Sequence, residues 1–127
     1  MVKKIQYKTV EGLPVWQKAY QLTLYVYKAT KDFPKSEIYG LTSQLRRSSS
    51  SIGANISEGF SRNSTKELIQ FLYNARGSCA ETLYHLKLSK DLNYLDERTY
   101  QELKSGYDEV GKQLNGWIPS LRKKLSH

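Results

Sequence analysis

Two adjacent arginines, Arg46 and Arg47, stand in the middle of a segment, Phe33 to Arg62, that reads FPKSEIYGLTSQLRRSSSSIGANISEGFSR. On a helix, consecutive side chains point about 100° apart, so no single partner takes both. One is expected to reach acids inside the fold, such as Glu58 or Glu81, while the other faces outward. A planar guanidinium fork suits phosphate oxygens. Arg46 and Arg47, either of which could be the outward one, together with Arg62, Lys66 and the C-terminal run Arg122, Lys123 and Lys124, therefore make a candidate nucleic-acid-binding set. The bland alternative is that these are solvated arginines, or arginines paired across a subunit contact.

Catalytic chemistry finds less support. The chain has no GxxxxGK[ST], GxGxxG or HExxH pattern, and one of its two histidines is the last residue. Glu81 and His85 lie four apart and share a helical face. A di-metal bundle, however, wants a Glu-x-x-His from each of two helices plus two further glutamates. An intrahelical Glu–His contact is the favoured reading. Cys79 falls on an apolar stripe with no base nearby, which describes a buried, inert thiol rather than a nucleophile. The serines from Ser48 to Ser51 lack a base and an orienting acid. No enzyme, metal site or cofactor is expected.

At 127 residues, 39% hydrophobic and 25% charged, the chain is sized for a single core. No apolar run approaches the ~20 residues that span a bilayer. The N-terminal MVKKIQYKTVEG has no apolar stretch behind its lysines, so it does not read as a signal peptide. One unpaired cysteine fits a reducing cytoplasm. Net charge is +8 and unevenly placed: residues 77–110 hold four bases and seven acids, whereas residues 111–127 hold four bases and no acid. Such an excess favours polyanions, above all nucleic acid, through counterion release.

The elements that must position these residues are helical. Residues 1–12 form a basic lead, expected as a loose arm, and residues 13–125 one domain. Pro14 suits the first turn of a helix. Trp16, Ala19/Tyr20, Thr23, Val26/Tyr27, Thr30 and Phe33 then recur at helical spacing until Pro34. A second helix is expected from near Ser36, with Leu41, Leu45, Ser48, Ile52, Asn55 and Ile56 on one face and Gly59 as its C-terminal stop. Because that period runs unbroken through the serines, SSSSIGANIS reads as a close-packing surface and not a linker. Ser64 and Glu67 match a capping box, opening a third helix through Leu68, Phe71/Leu72, Ala75, Cys79, Thr82 and Leu86 to near Asp91. Asn93 then supplies a left-handed turn residue. Asp96 caps a fourth helix in which Tyr100, Leu103, Tyr107, Val110, Leu114, Trp117 and Leu121 step by three and four. Pro119 is expected to kink or fray it. The fold class is all-α, an up-down-up-down four-helix bundle with long helices and short loops.

Trp16, Tyr20, Tyr27, Tyr100, Tyr107 and Trp117 are expected in the core. Tyr25, Tyr39, Tyr73, Tyr84 and Tyr94 fit the stripes less well and are expected at a subunit interface, with stacking on unpaired bases as the alternative.

Several motifs carry a family likeness: Leu13-Pro14-Val15-Trp16, FPxxExYGLxxQxRR from Phe33 to Arg47, SIxxNIxEGxxR from Ser51 to Arg62, AxGSxxE from Ala75 to Glu81, and LxYL from Leu92 to Leu95. In this order and spacing they resemble the four-helix bundle proteins encoded in intervening sequences of bacterial 23S rRNA genes. Departures are mild: Ser48, Ser49 and Ser57 where alanine is common, and Asn93 where glycine is. The resemblance implies a bundle assembled into a ring-like pentamer. A related branch, the accessory variability protein of diversity-generating retroelements, implies nucleic acid and a nucleic-acid-processing partner such as a reverse transcriptase. It supplies no catalytic residue. The expected function is a non-enzymatic, cytoplasmic homo-oligomer that binds RNA, DNA or a nucleoprotein through a basic surface. The competing expectation is a protein–protein scaffold or adaptor that does not touch nucleic acid.

Overall fold

Helix-capping chemistry sets out four helices: α1 (Pro14–Thr30), α2 (Leu41–Phe60), α3 (Thr65–Asp91) and α4 (Glu97–Leu125). The computed structural model describes residues 8–126, and among them there is no strand. Each helix packs on its chain neighbours and α4 packs back on α1, which closes an up-down-up-down bundle. Of the basic lead, residues 1–7 lie outside the described residues. Val10–Gly12 forms a 3-10 turn, and Val10 packs against the core.

The boundaries follow local hydrogen bonding. Ser64 Oγ accepts the Glu67 backbone N–H at 3.2 Å, and Asp96 Oδ1 accepts that of Thr99 at 2.7 Å. The latter bond holds the Asp96 carboxyl below the usual carboxylate range. Asn93 takes a φ of 66°, while Tyr94 N–H reaches back to Ser89 O at 2.8 Å and Asn93 N–H to Lys90 O at 2.9 Å. These two bonds close a Schellman stop for α3.

Between α1 and α2 the structure departs from the expected boundaries. α1 ends at Thr30, before Phe33, and α2 begins at Leu41 instead of near Ser36. After Pro34, residues Lys35–Glu37 form a separate 3-10 turn. Its Glu37 carboxylate turns forward to accept Leu41 N–H at 2.9 Å and the Tyr94 hydroxyl at 3.0 Å. Glu37 thus caps α2 from outside the helix and ties this loop to the α3–α4 turn.

The core is built from Leu, Ile and Val of all four helices, with Tyr107, Leu45, Ile52, Leu72 and Leu114 fully buried. Each such side chain contributes roughly 1.5–3 kcal/mol. The aromatic assignments need correction. Tyr20 and Tyr27 are 50% and 42% exposed, because Leu22 and Val26 take the inward positions of α1. Trp117 is half-buried and Ile118 takes the core position beside it. Tyr25, Tyr73 and Tyr94 are half-buried against the core, leaving Tyr39 and Tyr84 fully outward.

Two other expectations change. Pro119 lies within α4, which stays helical through to Leu125. Gly59 is not a left-handed stop, since no glycine among the described residues has a positive φ. It lies inside α2 where α3 comes closest: a Cβ there would stand 2.9 Å from Phe71 Cβ and 3.0 Å from Leu68 Cδ1.

The serine run is helical and packs closely, as its period implies. Thr82 Oγ1 donates to Ser48 Oγ at 2.9 Å and Ser78 Oγ to Ser51 Oγ at 2.9 Å, which pairs α3 with α2. Thr23 of α1 reaches Ser49 O at 3.0 Å. Asn55, half-buried rather than on the core face, bonds back to Ser51 inside α2.

Exposed glycine-to-alanine changes in a helix gain up to about 1 kcal/mol, but Gly59→Ala is expected to lose about 1–3 kcal/mol in urea unfolding, because the Phe71 Cβ is fixed to its backbone. A more stable variant would show that α2 and α3 are not in close contact there.

Candidate nucleic-acid interface

Arg46 does not reach an acid. Its Nε donates to Thr30 Oγ1 at 2.9 Å and its Nη2 to Tyr27 O at 3.4 Å, while the guanidinium lies 4.7 Å above the Tyr27 ring. A cation is thereby held at the C-terminal end of α1, where helix carbonyls concentrate negative potential. Arg47, one residue on, is exposed. The acids expected to pair with one of the two arginines have other partners: Glu58 Oε2 stands 2.7 Å from Arg62 Nη2, and Glu81 Oε2 3.5 Å from His85 Nε2.

Arg62 is also engaged locally. Besides Glu58, its Nε lies 4.0 Å from Glu67 Oε1 and its guanidinium 5.1 Å above the Phe71 ring. Arg46 and Arg62 are sixteen residues apart on or just past α2, about 24 Å along the axis, so the seven candidate cations divide between opposite ends of the bundle. Arg46 and Arg47 belong to the end that holds the α1–α2 loop. Arg62, Lys66, Arg122, Lys123 and Lys124 belong to the other. Tyr73 meeting Arg122 at 3.0 Å and Arg76 meeting Asn115 at 3.2 Å bring the start of α3 level with the close of α4.

At this second end Lys66, Arg122, Lys123 and Lys124 are exposed, and a shallow hollow on α4 is lined by Pro119, Arg122, Lys123, Leu125 and Ser126. Arg76, which no sequence motif singles out as a site, joins the group with Tyr73: its guanidinium lies 4.9 Å over the Tyr73 ring. Their three-residue spacing on α3 is the signal that could have found them. The terminal cations also complement the α4 dipole, so part of their role is structural.

Other candidates stay inert. Cys79 is buried with its Sγ 3.3 Å from Tyr107 O, and burial pushes the thiol up to about 11. The Tyr107 hydroxyl faces those of Ser49 and Thr23 without a well-formed bond to either, and burial raises its pKa far above the ordinary value. Among the described residues no group of three or more His, Cys, Asp or Glu is placed to hold a metal, and no helix is long and apolar enough to cross a membrane.

The sequence and the fold match one family. Residues 11–116 fit the sequence profile of the 23S rRNA-intervening sequence protein. The chain belongs to that family. A solved structure from Bacteroides thetaiotaomicron VPI-5482, described as a protein of unknown function from the S23 ribosomal protein family, is similar at a TM-score of 0.74. It is 27% identical, over 82% of this chain and 97% of that one. Comparison with curated proteins gives no match. Membership in the 23S rRNA-intervening sequence family agrees with the four-helix bundle, and neither comparison points to catalysis.

The two central arginines are expected to separate by role. Arg46→Ala should cost about 1–2 kcal/mol in chemical denaturation, because the bond to Thr30 and the cation at the α1 terminus both disappear. Arg47→Ala should stay within about 0.5 kcal/mol of wild type. Equal costs for both would contradict the assignment.

Proposed function

We propose that this protein is a non-enzymatic, homo-oligomeric bundle that binds RNA or DNA, alone or within a nucleoprotein, through its basic end. The supporting observation is the exposed run Arg122, Lys123 and Lys124, on a segment, 111–127, that has no acid, with the exposed Lys66 of the first turn of α3 at the same end of the bundle. Flexible lysines and arginines of this kind neutralise phosphates and release counterions, which gives affinity without sequence preference. Arg46 drops out of the binding set because its guanidinium is already used inside the fold; Arg47 remains in it.

Self-association draws on the opposite end. Ile38 and Tyr39 (94% exposed) precede α2, and Leu88 and Leu92 lie exposed at the end of α3, which the Glu37–Tyr94 bond brings beside that loop. Exposed apolar clusters of this kind favour protein contact. A ring-like pentamer is the assembly the family resemblance suggests, and a nucleic-acid-processing protein such as a reverse transcriptase is the partner it suggests. The same cluster also supports the competing adaptor reading, in which it recognises a different protein and the basic end is incidental.

Fluorescence anisotropy with labelled RNA and DNA decides between these. Binding should weaken steeply with salt, and Arg122→Ala/Lys123→Ala/Lys124→Ala should flatten the log–log salt slope by about one unit for each phosphate that is no longer neutralised. No affinity for either nucleic acid at low salt would exclude the reading. Light scattering should give a multiple of the 14.7 kDa chain mass; a monomer at micromolar concentration would exclude self-association.

A further inference from the structure

We propose that the face shared by α1 and α2 is a stacking track for unpaired bases, so that the ligand class is single-stranded nucleic acid. This rests on the nucleic-acid reading above and extends it to a second surface. The carrying observation is a pair of exposed aromatic rings, each braced from one side. Tyr20 lies against Trp16 with ring centroids 4.9 Å apart and planes 10° from parallel. Trp16 is itself anchored to α2 by its Nε1–H, which donates to Ser57 Oγ at 2.9 Å. Seven residues on, two helical turns along the same side of α1, Tyr27 is braced by the Arg46 guanidinium at 4.7 Å, and Arg46 is anchored in turn to Thr30. Both rings remain about half exposed, at 50% and 42%.

Braced rings lose little freedom when a planar ligand stacks on them, and that preorganisation favours affinity. Bases offer their faces only when unpaired, and aromatic rings or arginine planes are the usual platforms. The charge around the rings fits the same ligand. α1 contains no acid, and α2 contains only Glu58, which is paired with Arg62. Lys28 and Arg47, both exposed, lie on the same two helices. Along α2 the neighbouring side chains Ser50, Gly53 and Ala54 are small, so a sugar–phosphate chain has room to approach. Leu24, 55% exposed, stands between the two rings along α1, but braced rings with cations, on two helices whose one acid is paired, suit stacked bases joined by phosphates.

The test compares a labelled single-stranded oligouridylate with an RNA duplex of the same length, at one salt concentration, on the full-length chain. Wild type should bind the single strand more tightly. Tyr20→Ala and Tyr27→Ala should each weaken single-strand binding roughly tenfold while leaving duplex binding and the mass in light scattering unchanged. Tyr20→Phe and Tyr27→Phe should restore single-strand affinity, and Tyr20→Leu and Tyr27→Leu should not. Single-strand affinity that survives the alanine or leucine variants overturns the proposal and leaves the basic-end reading standing. Parallel loss of both probes with a changed mass assigns the face to a subunit contact and also overturns it. Failure of wild type to bind either probe at low salt removes both readings together.

Discussion

The bundle depends on how closely α2 approaches its neighbours. Among the buried Leu41, Leu45, Ile52 and Ile56 of its inner side, α2 places Ser48, Ser49 and, near its end, Gly59, short residues that let its neighbours come close. Helices packed this tightly must satisfy any hydroxyl they bury. The serines and Thr82 do so by bonding across the interface and to the preceding turn. Oxygen atoms that would have competed with the backbone in an isolated helix instead tie α2 to α3. The buried Tyr107 hydroxyl, beside Ser49 and Thr23, is one place where that satisfaction is incomplete.

On α1 the inward positions go to Leu22 and Val26, which leaves Tyr20, Leu24 and Tyr27 exposed. Arg46 is drawn in over Tyr27 to the α1 terminus, and the outward duty falls to Arg47. Charge then separates along the long axis. The α4 N-terminal half carries acids that are largely matched by local lysines and arginines, as in Lys104–Asp108, Arg98–Glu102 and Lys90–Glu97. Its last turns carry cations alone. Exposed pairs of that kind contribute at most about 1 kcal/mol each, so the arrangement shapes the electrostatic field more than it stabilises the fold.

Much of the fold was legible because helical periodicity and capping agree in the sequence: Ser64, Asn93 and Asp96 each act where their chemistry suggests, and the serine run is helical as its period implies. The misreadings share one physical origin, the limit of one-dimensional period. Tyr20 and Leu22 both satisfy a three-and-four rhythm, and only the position of α2 decides which turns inward. Gly59 looked like a terminus because glycine serves both left-handed turns and close contacts, and a single sequence does not distinguish them. Ser36 looked like a helix start because it lies in a true but separate 3-10 turn, Lys35–Glu37, whose Glu37 carboxylate then caps Leu41 four residues on. The candidate site was less legible. Arg46, Arg62 and Arg122 share one residue chemistry and each has a local partner, but only Arg122 stays exposed, and the braced tyrosines required the neighbouring helix to be recognised.

The central claim is that nucleic acid is held along the α1–α2 face and at the basic end, away from the acidic half of α4. Photo-crosslinking of a bound 4-thiouridine-containing RNA, with the adducts mapped by mass spectrometry, addresses it most directly. Adducts are expected on peptides containing Tyr20, Tyr27 and the Arg122–Lys124 run. Adducts confined to the Glu97–Glu109 half of α4, or to the Ile38–Tyr39 loop, would contradict the account.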